Sequence, residues 1–128
     1  MTQLDVVAGL VREVLDSRGF TWLPIYTGQL PDADGPMVMV ELLEGDPSDT
    51  AVAVDHPSCR IVVRSPDPGE AERISYLIHS LIHLTSRRVE GGDALWSLLA
   101  RGMPERLAVH SKRPRYEYQG KYWTMMGR

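Results

Sequence analysis

The chain has 128 residues, a formal net charge of −3, 43% hydrophobic and 24% charged residues, and a single cysteine. That length favours one domain, spanning 1–128, with a core that needs no covalent staples. With this slightly acidic balance, nothing overall favours nucleic acid or an anionic membrane surface. One cysteine excludes an internal disulfide and fits a reducing compartment. The N-terminus lacks the basic, apolar and small-residue order of a signal peptide. No apolar run approaches the roughly 20 residues needed to cross a bilayer, so no membrane partner is expected.

Residues Thr2 to Arg18 read as an amphipathic helix. Leu4, Val7, Ala8, Val11, Val14 and Leu15 share one face, with Val6 and Leu10 widening it, while Asp5, Arg12, Glu13 and Asp16 take the other. Thr2 and Asp5 resemble a capping box, and Gly19 suits a C-terminal stop. Phe20 to Gly28 is rich in aromatic and branched residues and predicts a strand, with Pro24 confining it to an edge or a bulge. Gln29 to Pro36 is a turn-rich connection. Met37 to Leu43 is an almost unbroken apolar run, as expected of a central strand buried on both faces. Glu44 to Thr50 reads as an acidic loop, and Ala51 to Val54 as a short strand.

The strongest local signal lies between Cys59 and Leu84. Cys59, Ile61 and Val63 alternate with Arg60, Val62 and Arg64, as in a strand with one face on a core. Asp67 then supplies an N-cap, Pro68 the first helical position and Glu70 the third residue of a capping box. Ile74, Leu77, Ile78, Leu81 and Ile82 form the helix's apolar stripe. Ser86 to Asp93 reads as a turn, its arginines near the negative end of the helix dipole. Ala94 to Ala100 fits a strand or a helical turn equally. Arg106 to His110 is a further strand candidate, and Tyr116 to Met125 suggests a terminal hairpin turning at Gly120. The order helix, strands, helix, strands predicts an α+β fold: a mixed, mainly antiparallel sheet with two principal helices packed against it.

Reactive chemistry is hard to find in this sequence. His79 and His83 stand at i and i+4, a spacing that ligates metals. The hydrolytic zinc pattern needs glutamate directly after the first histidine, and Ser80 is there instead. Two ligands do not make a metal centre, so no metal is assigned. On a helical wheel Glu72, Tyr76, His79 and His83 fall opposite the apolar stripe, where a solvated face or a subunit contact accounts for them. Cys59, on the apolar side of its strand, reads as packing rather than as a reactive thiol. There is no phosphate-cradling glycine loop and no nucleophile elbow. Carboxylates such as Glu41 and Asp55 have no spacing that pairs them. Basic residues interleave with tyrosines between Lys112 and Lys121, as in some single-strand nucleic-acid binders, but a strand pair with one polar face explains them better under a negative total charge. The sequence thus favours a binding or structural subunit, without catalytic residues or cofactor, over an enzyme.

Four stretches resemble a known family. Ile25 to Asp32 is similar to an I-x-x-G-x-L-P-D segment, Met37 to Leu43 to the apolar strand after it, Pro57 to Arg64 with Glu70 to Leu81 to a strand, arginine and long helix, and Gly120-Lys121-Tyr122 to a terminal G-R-Y. The family is that of the tail terminator, or tail completion, proteins of long-tailed phages, often labelled minor capsid proteins. This chain departs from it in having Tyr116-Glu117-Tyr118-Gln119 where an aspartate commonly precedes the terminal glycine, and Lys121 where arginine is usual. The resemblance implies a virion protein at the head–tail junction, assembled in the host cytoplasm. It would form a ring, typically a hexamer, that caps the tail tube, ends its polymerisation and presents the joining surface to the head. Its implied partners are other copies of itself, the tail tube protein and a head–tail connector protein. A related connector subunit would share most of these traits. A closed ring needs a head-to-tail interface between two different patches of one subunit. Candidate interface residues are Asp46 and Asp49 of the acidic loop, Arg60 and Arg64 of the strand, and Glu72, Tyr76, His79 and His83 of the helix, with Arg64 meeting Asp46 or Asp49 of a neighbour as one specific pairing.

Overall fold

A computed structural model of the chain describes residues 3–49, 54–82, 87–88, 94–107 and 115–127. In chain order the elements are α1 (Gln3–Ser17), β1 (Ile25–Thr27), β2 (Met37–Asp49), β3 (Val54–Ser65), α2 (Pro68–Ile82), β4 (Arg87–Arg88), β5 (Ala94–Ala100), β6 (Glu105–Arg106) and β7 (Tyr116–Gly127). The described strands form one sheet in the order β1-β2-β3-β7-β5-β4, with β6 also paired to β7. β1 runs parallel to β2, and every other pairing is antiparallel. The fold is therefore α+β, a mixed and mainly antiparallel sheet carrying two helices.

Helix α1 ends by a glycine cap. Gly19 has φ +85°, and the Phe20 and Gly19 amides donate to the carbonyls of Leu15 and Asp16. This Schellman arrangement brings Phe20 back onto the core beside Leu15. Arg12 then fastens the following turn: it pairs with Asp16 at 2.9 Å, donates to the Phe20 carbonyl at 2.6 Å and also donates to the Leu23 carbonyl. Phe20 to Leu23 is consequently a turn, and only Ile25–Thr27 of the expected strand is extended. That strand is an edge, as Pro24 requires.

Register sorts the side chains onto two faces. Val38 and Val40 of β2, Cys59, Ile61 and Val63 of β3 and Tyr122 of β7 lie in the core with Val7, Val11 and Leu15 of α1 and Ile74, Ile78 and Ile82 of α2. Met37, Met39 and Val62 belong to the opposite face and are nonetheless buried, so the expectation of a two-sided strand holds from Met37 to Val40. Asp67 caps α2 through Gly69 N–H at 3.1 Å. Glu70 reaches past the cap to the Ser65 hydroxyl, which donates to it at 2.8 Å and accepts from the Asp67 N–H at 3.1 Å. The capping box is thus relayed through the last residue of β3, which locks the strand-to-helix junction.

Three further expectations are corrected. Residues Glu44 to Asp49 continue β2 instead of forming a loop, because two register shifts against β3 absorb Gly45 and Pro47. Arg87–Arg88, expected within a turn, pairs with β5. Tyr116 to Gly127 is one continuous strand, not a hairpin. Gly120 lies mid-strand opposite Ile61, and a Cβ there would come within 2.8 Å of the Tyr122 ring. Glycine is needed for close approach of an aromatic ring, two residues on and on the same face, not for a turn. Ala94–Ala100 resolves as a strand, while His83, Ala51 to Ala53 and Ala108 to His110 lie outside the described residues.

Two predictions follow from the core. Gly120→Ala must displace the fully buried Tyr122 ring and is expected to cost about 1–3 kcal/mol in urea unfolding, with a smaller cost in a Tyr122→Leu background. Burial raises the Cys59 thiol to about 12, and burial first, then the nearby Cys59 charge, pushes the Tyr122 phenol up. The folded thiol stays protonated while the unfolded one ionises from its ordinary 9.0. Its contribution is complete below pH 9 and is lost as the pH climbs toward 12. Stability should therefore fall by about 1.4 kcal/mol per pH unit for this group above the unfolded value. Cys59→Ala should flatten that decline in denaturant titrations at alkaline pH.

Candidate functional site

The sheet face turned away from the helices is built around the two arginines of β3. Each meets a glutamate directly across a ladder. Arg60 faces Glu41 of β2 and donates to its Oε2 from Nη2 at 2.8 Å and Nε at 3.1 Å. Arg64 faces Glu117 of β7 and donates to its Oε1 from Nη2 at 3.2 Å and Nε at 3.4 Å. Arg60 thus ties β3 to β2 and, from Nη1 to Gln119 Oε1 at 3.4 Å, also to β7, while Arg64 ties it to β7. Lys121 stands directly opposite Arg60, a like-charge pairing that the Glu41 carboxylate offsets.

Arg64 has a second task. Its Nη1 donates to the Pro31 carbonyl at 3.0 Å, which holds the segment after β1 down across the sheet. Arg115, just before β7, grips the same segment through Asp32 at 2.7 Å and Asp34 at 3.3 Å. Gly28 starts that segment with φ +85°, its N–H still donating to the Val40 carbonyl.

Between this segment and Leu107 lies a basin of about 300 Å³. Met39 and Val62 supply its apolar lining, Gly28 to Leu30 one rim, and the two arginine–glutamate pairs its charged walls. The charges balance, so the basin selects neither an anion nor a cation. Met39 and Val62 are buried at its floor, so the surface it offers is set mainly by the polar and charged groups of its walls. Among the described residues no group of three or more His, Cys, Asp and Glu converges as a metal site.

The candidate residues are dispersed. Arg60 and Arg64 share the basin. Asp46 and Asp49 lie far along β2, aligned with His56 and Val54 of β3, so within one subunit they are remote from Arg64, whose guanidinium already serves Glu117 and Pro31. On α2, Glu72 accepts from the Tyr118 hydroxyl at 3.4 Å and Tyr76 is 37% exposed. His79 is turned to the flank, its ring 6.3 Å from Tyr122, so it does not share the fully outward face that the helical wheel assigns to it. His83 lies outside the described residues. The Lys112 to Lys121 set divides between faces: Tyr118 packs on the core, Arg115 is paired with aspartates, and Tyr116 lies under Arg106 at 5.3 Å. Sequence reasoning left Glu41 without a partner and did not single out Glu117, because only the ladder register reveals whom each one faces.

Arg64→Lys should cost about 1–2 kcal/mol, since one ammonium cannot replace a fork shared by Glu117 and Pro31. The same change should speed amide exchange in the Gln29 to Asp34 segment, whereas Glu117→Gln should leave that segment's exchange near the wild-type rate. No protein-family model matches the chain, and none of the curated proteins compared with it is a match.

Proposed function

We propose that this chain is a structural protein of a long-tailed phage virion, a ring-forming subunit that caps the tail tube, ends its polymerisation and offers the surface on which the head is joined. The reading starts from the four stretches that resemble tail terminators. The observation that supports it best is that the four stretches are neighbours in one sheet: Ile25 lies opposite Val38, Val40 opposite Ile61 and Ile61 opposite Gly120, while Arg64 of the strand stretch donates to Pro31 of the I-x-x-G-x-L-P-D stretch. Segments far apart in sequence thus form one continuous surface beside the basin, as expected if together they carry one docking role.

The shape of the sheet agrees with such a role. β2 has 13 residues, roughly 43 Å of strand at about 3.3 Å per residue. α2 has 15 residues, only about 22 Å of helix. A single helix of that length can back about half of β2.

Native mass measured over a range of protein concentrations, with electron micrographs of any large species, tests this reading. The expected result is a closed ring of about six copies with a central opening, or a monomer that becomes a ring on the ends of tail tubes. A chain that stays monomeric throughout and ignores tube ends would overturn it.

A further inference from the structure

We infer that the outer edge of β1 is a strand-docking edge, and that a second copy of this chain supplies the strand that covers it. The identity of that partner rests on the ring reading above; the edge itself rests on hydrogen-bond parity. The Val38 N–H donates to the Pro24 carbonyl at 3.0 Å and the Gly28 N–H to the Val40 carbonyl at 2.9 Å. In a parallel ladder these two bonds fix the phase. Pro24, Tyr26 and Gly28 address β2, and Ile25 and Thr27 direct their N–H and C=O groups away from it. No strand pairs with that side among the described residues. Four backbone groups therefore lie along an edge with the spacing of a ladder.

The surroundings suit a protein partner. Exposed edges are ordinarily protected by charge or by a covering segment, yet Phe20 to Pro31 contains no charged residue in a chain that is 24% charged. Large aromatic groups lie on and just before the edge. Tyr26 is 37% exposed on the side of the basin, and Trp22, its ring tilted at 48° to Phe20 and 6.0 Å from it, is 57% exposed just before the strand. Depletion of charge with enrichment of Trp and Tyr is the composition of an interface centre. The four backbone groups require an extended strand as occupant, and strand addition is an established mode of recognition. Among the described residues, the far edge of the same sheet is a different strand, β4. A neighbour can thus be met edge to edge in a single direction, which is the heterologous contact that a closed ring demands.

Thr27→Pro removes the outward N–H while leaving the Tyr26 and Gly28 donors to β2 in place, and proline is tolerated on edge strands. Thr27→Val keeps the N–H and serves as its control. Native mass over a concentration series is expected to show wild type and Thr27→Val assembling alike, and Thr27→Pro at least about tenfold weaker, the effect of about 1.4 kcal/mol, with an unchanged urea midpoint. Amide exchange of wild type, which needs no variant to fold, is expected to slow at Ile25 and Thr27 by about tenfold or more on assembly. A ring in which these amides exchange as in the monomer, or a Thr27→Pro chain that assembles normally, overturns the docking edge and leaves the ring reading intact. Protection that arises only on adding a different protein overturns the second copy as occupant. A chain that remains monomeric under every condition, with both amides unprotected, overturns the edge and the ring together.

Discussion

The double pairing of β3 is the constraint on which the rest depends. It hydrogen-bonds β2 along one edge and β7 along the other, so its alternation is imposed on both neighbours. Cys59, Ile61 and Val63 fix which side receives the helices. Arg60, Val62 and Arg64 fix the other. A one-residue slip of either neighbour would carry Val38 and Val40, or Tyr122, out of the core and place Met39 or Gln119 there instead. The two arginine–glutamate pairs act on this choice from the opposite face. Each pair is partly exposed and contributes modestly to stability, but each is satisfied in only one register.

The helix-covered face and the basin face are coupled at the ends of β3. At its C-terminal end Ser65 receives the Asp67 amide and donates to Glu70, so the start of α2 is tied to the strand. One residue earlier Arg64 holds Pro31 on the other side of the sheet. The chain thereby anchors a core helix and a surface segment within two consecutive residues. That economy places the Gln29 to Pro36 segment, β1 and the basin in a fixed relation. It also gives physical content to the proposed docking surface: the sheet presents a concavity of balanced charge beside an uncharged strand edge.

Where sequence patterns and structure part company, a specific contact is the cause in each case, at short range for Phe20 and Gly120 and across the sheet for the others. Phe20 has the composition of a strand residue, but the Gly19 cap and the Arg12 bonds to Phe20 and Leu23 give its backbone other partners. Gly120 has the appearance of a turn residue, but the Tyr122 ring needs the space. Gly45 and Pro47 suggest a loop, but pairing with β3 carries them through as irregular strand. His79 sits at a wheel position that faces water on an isolated helix. A strand carrying Tyr122 passes beside it and makes that position a flank.

The sequence by itself determined both helices, the Asp67 cap, the Gly19 stop, the two-sided character of Met37 to Val40 and the alternation of Cys59 to Arg64. These follow from local periodicity and local hydrogen bonding, which act within a few residues. It determined the α+β class as well, since the order of elements leaves no alternation for a doubly wound sheet. Only the tertiary structure decided that Glu41 belongs to Arg60, that Glu117 and Pro31 belong to Arg64, and that Ile25 and Thr27 point their backbone groups outward. Those facts depend on which strands are neighbours and in what register. Register is set by packing across the whole sheet, and no local pattern encodes it.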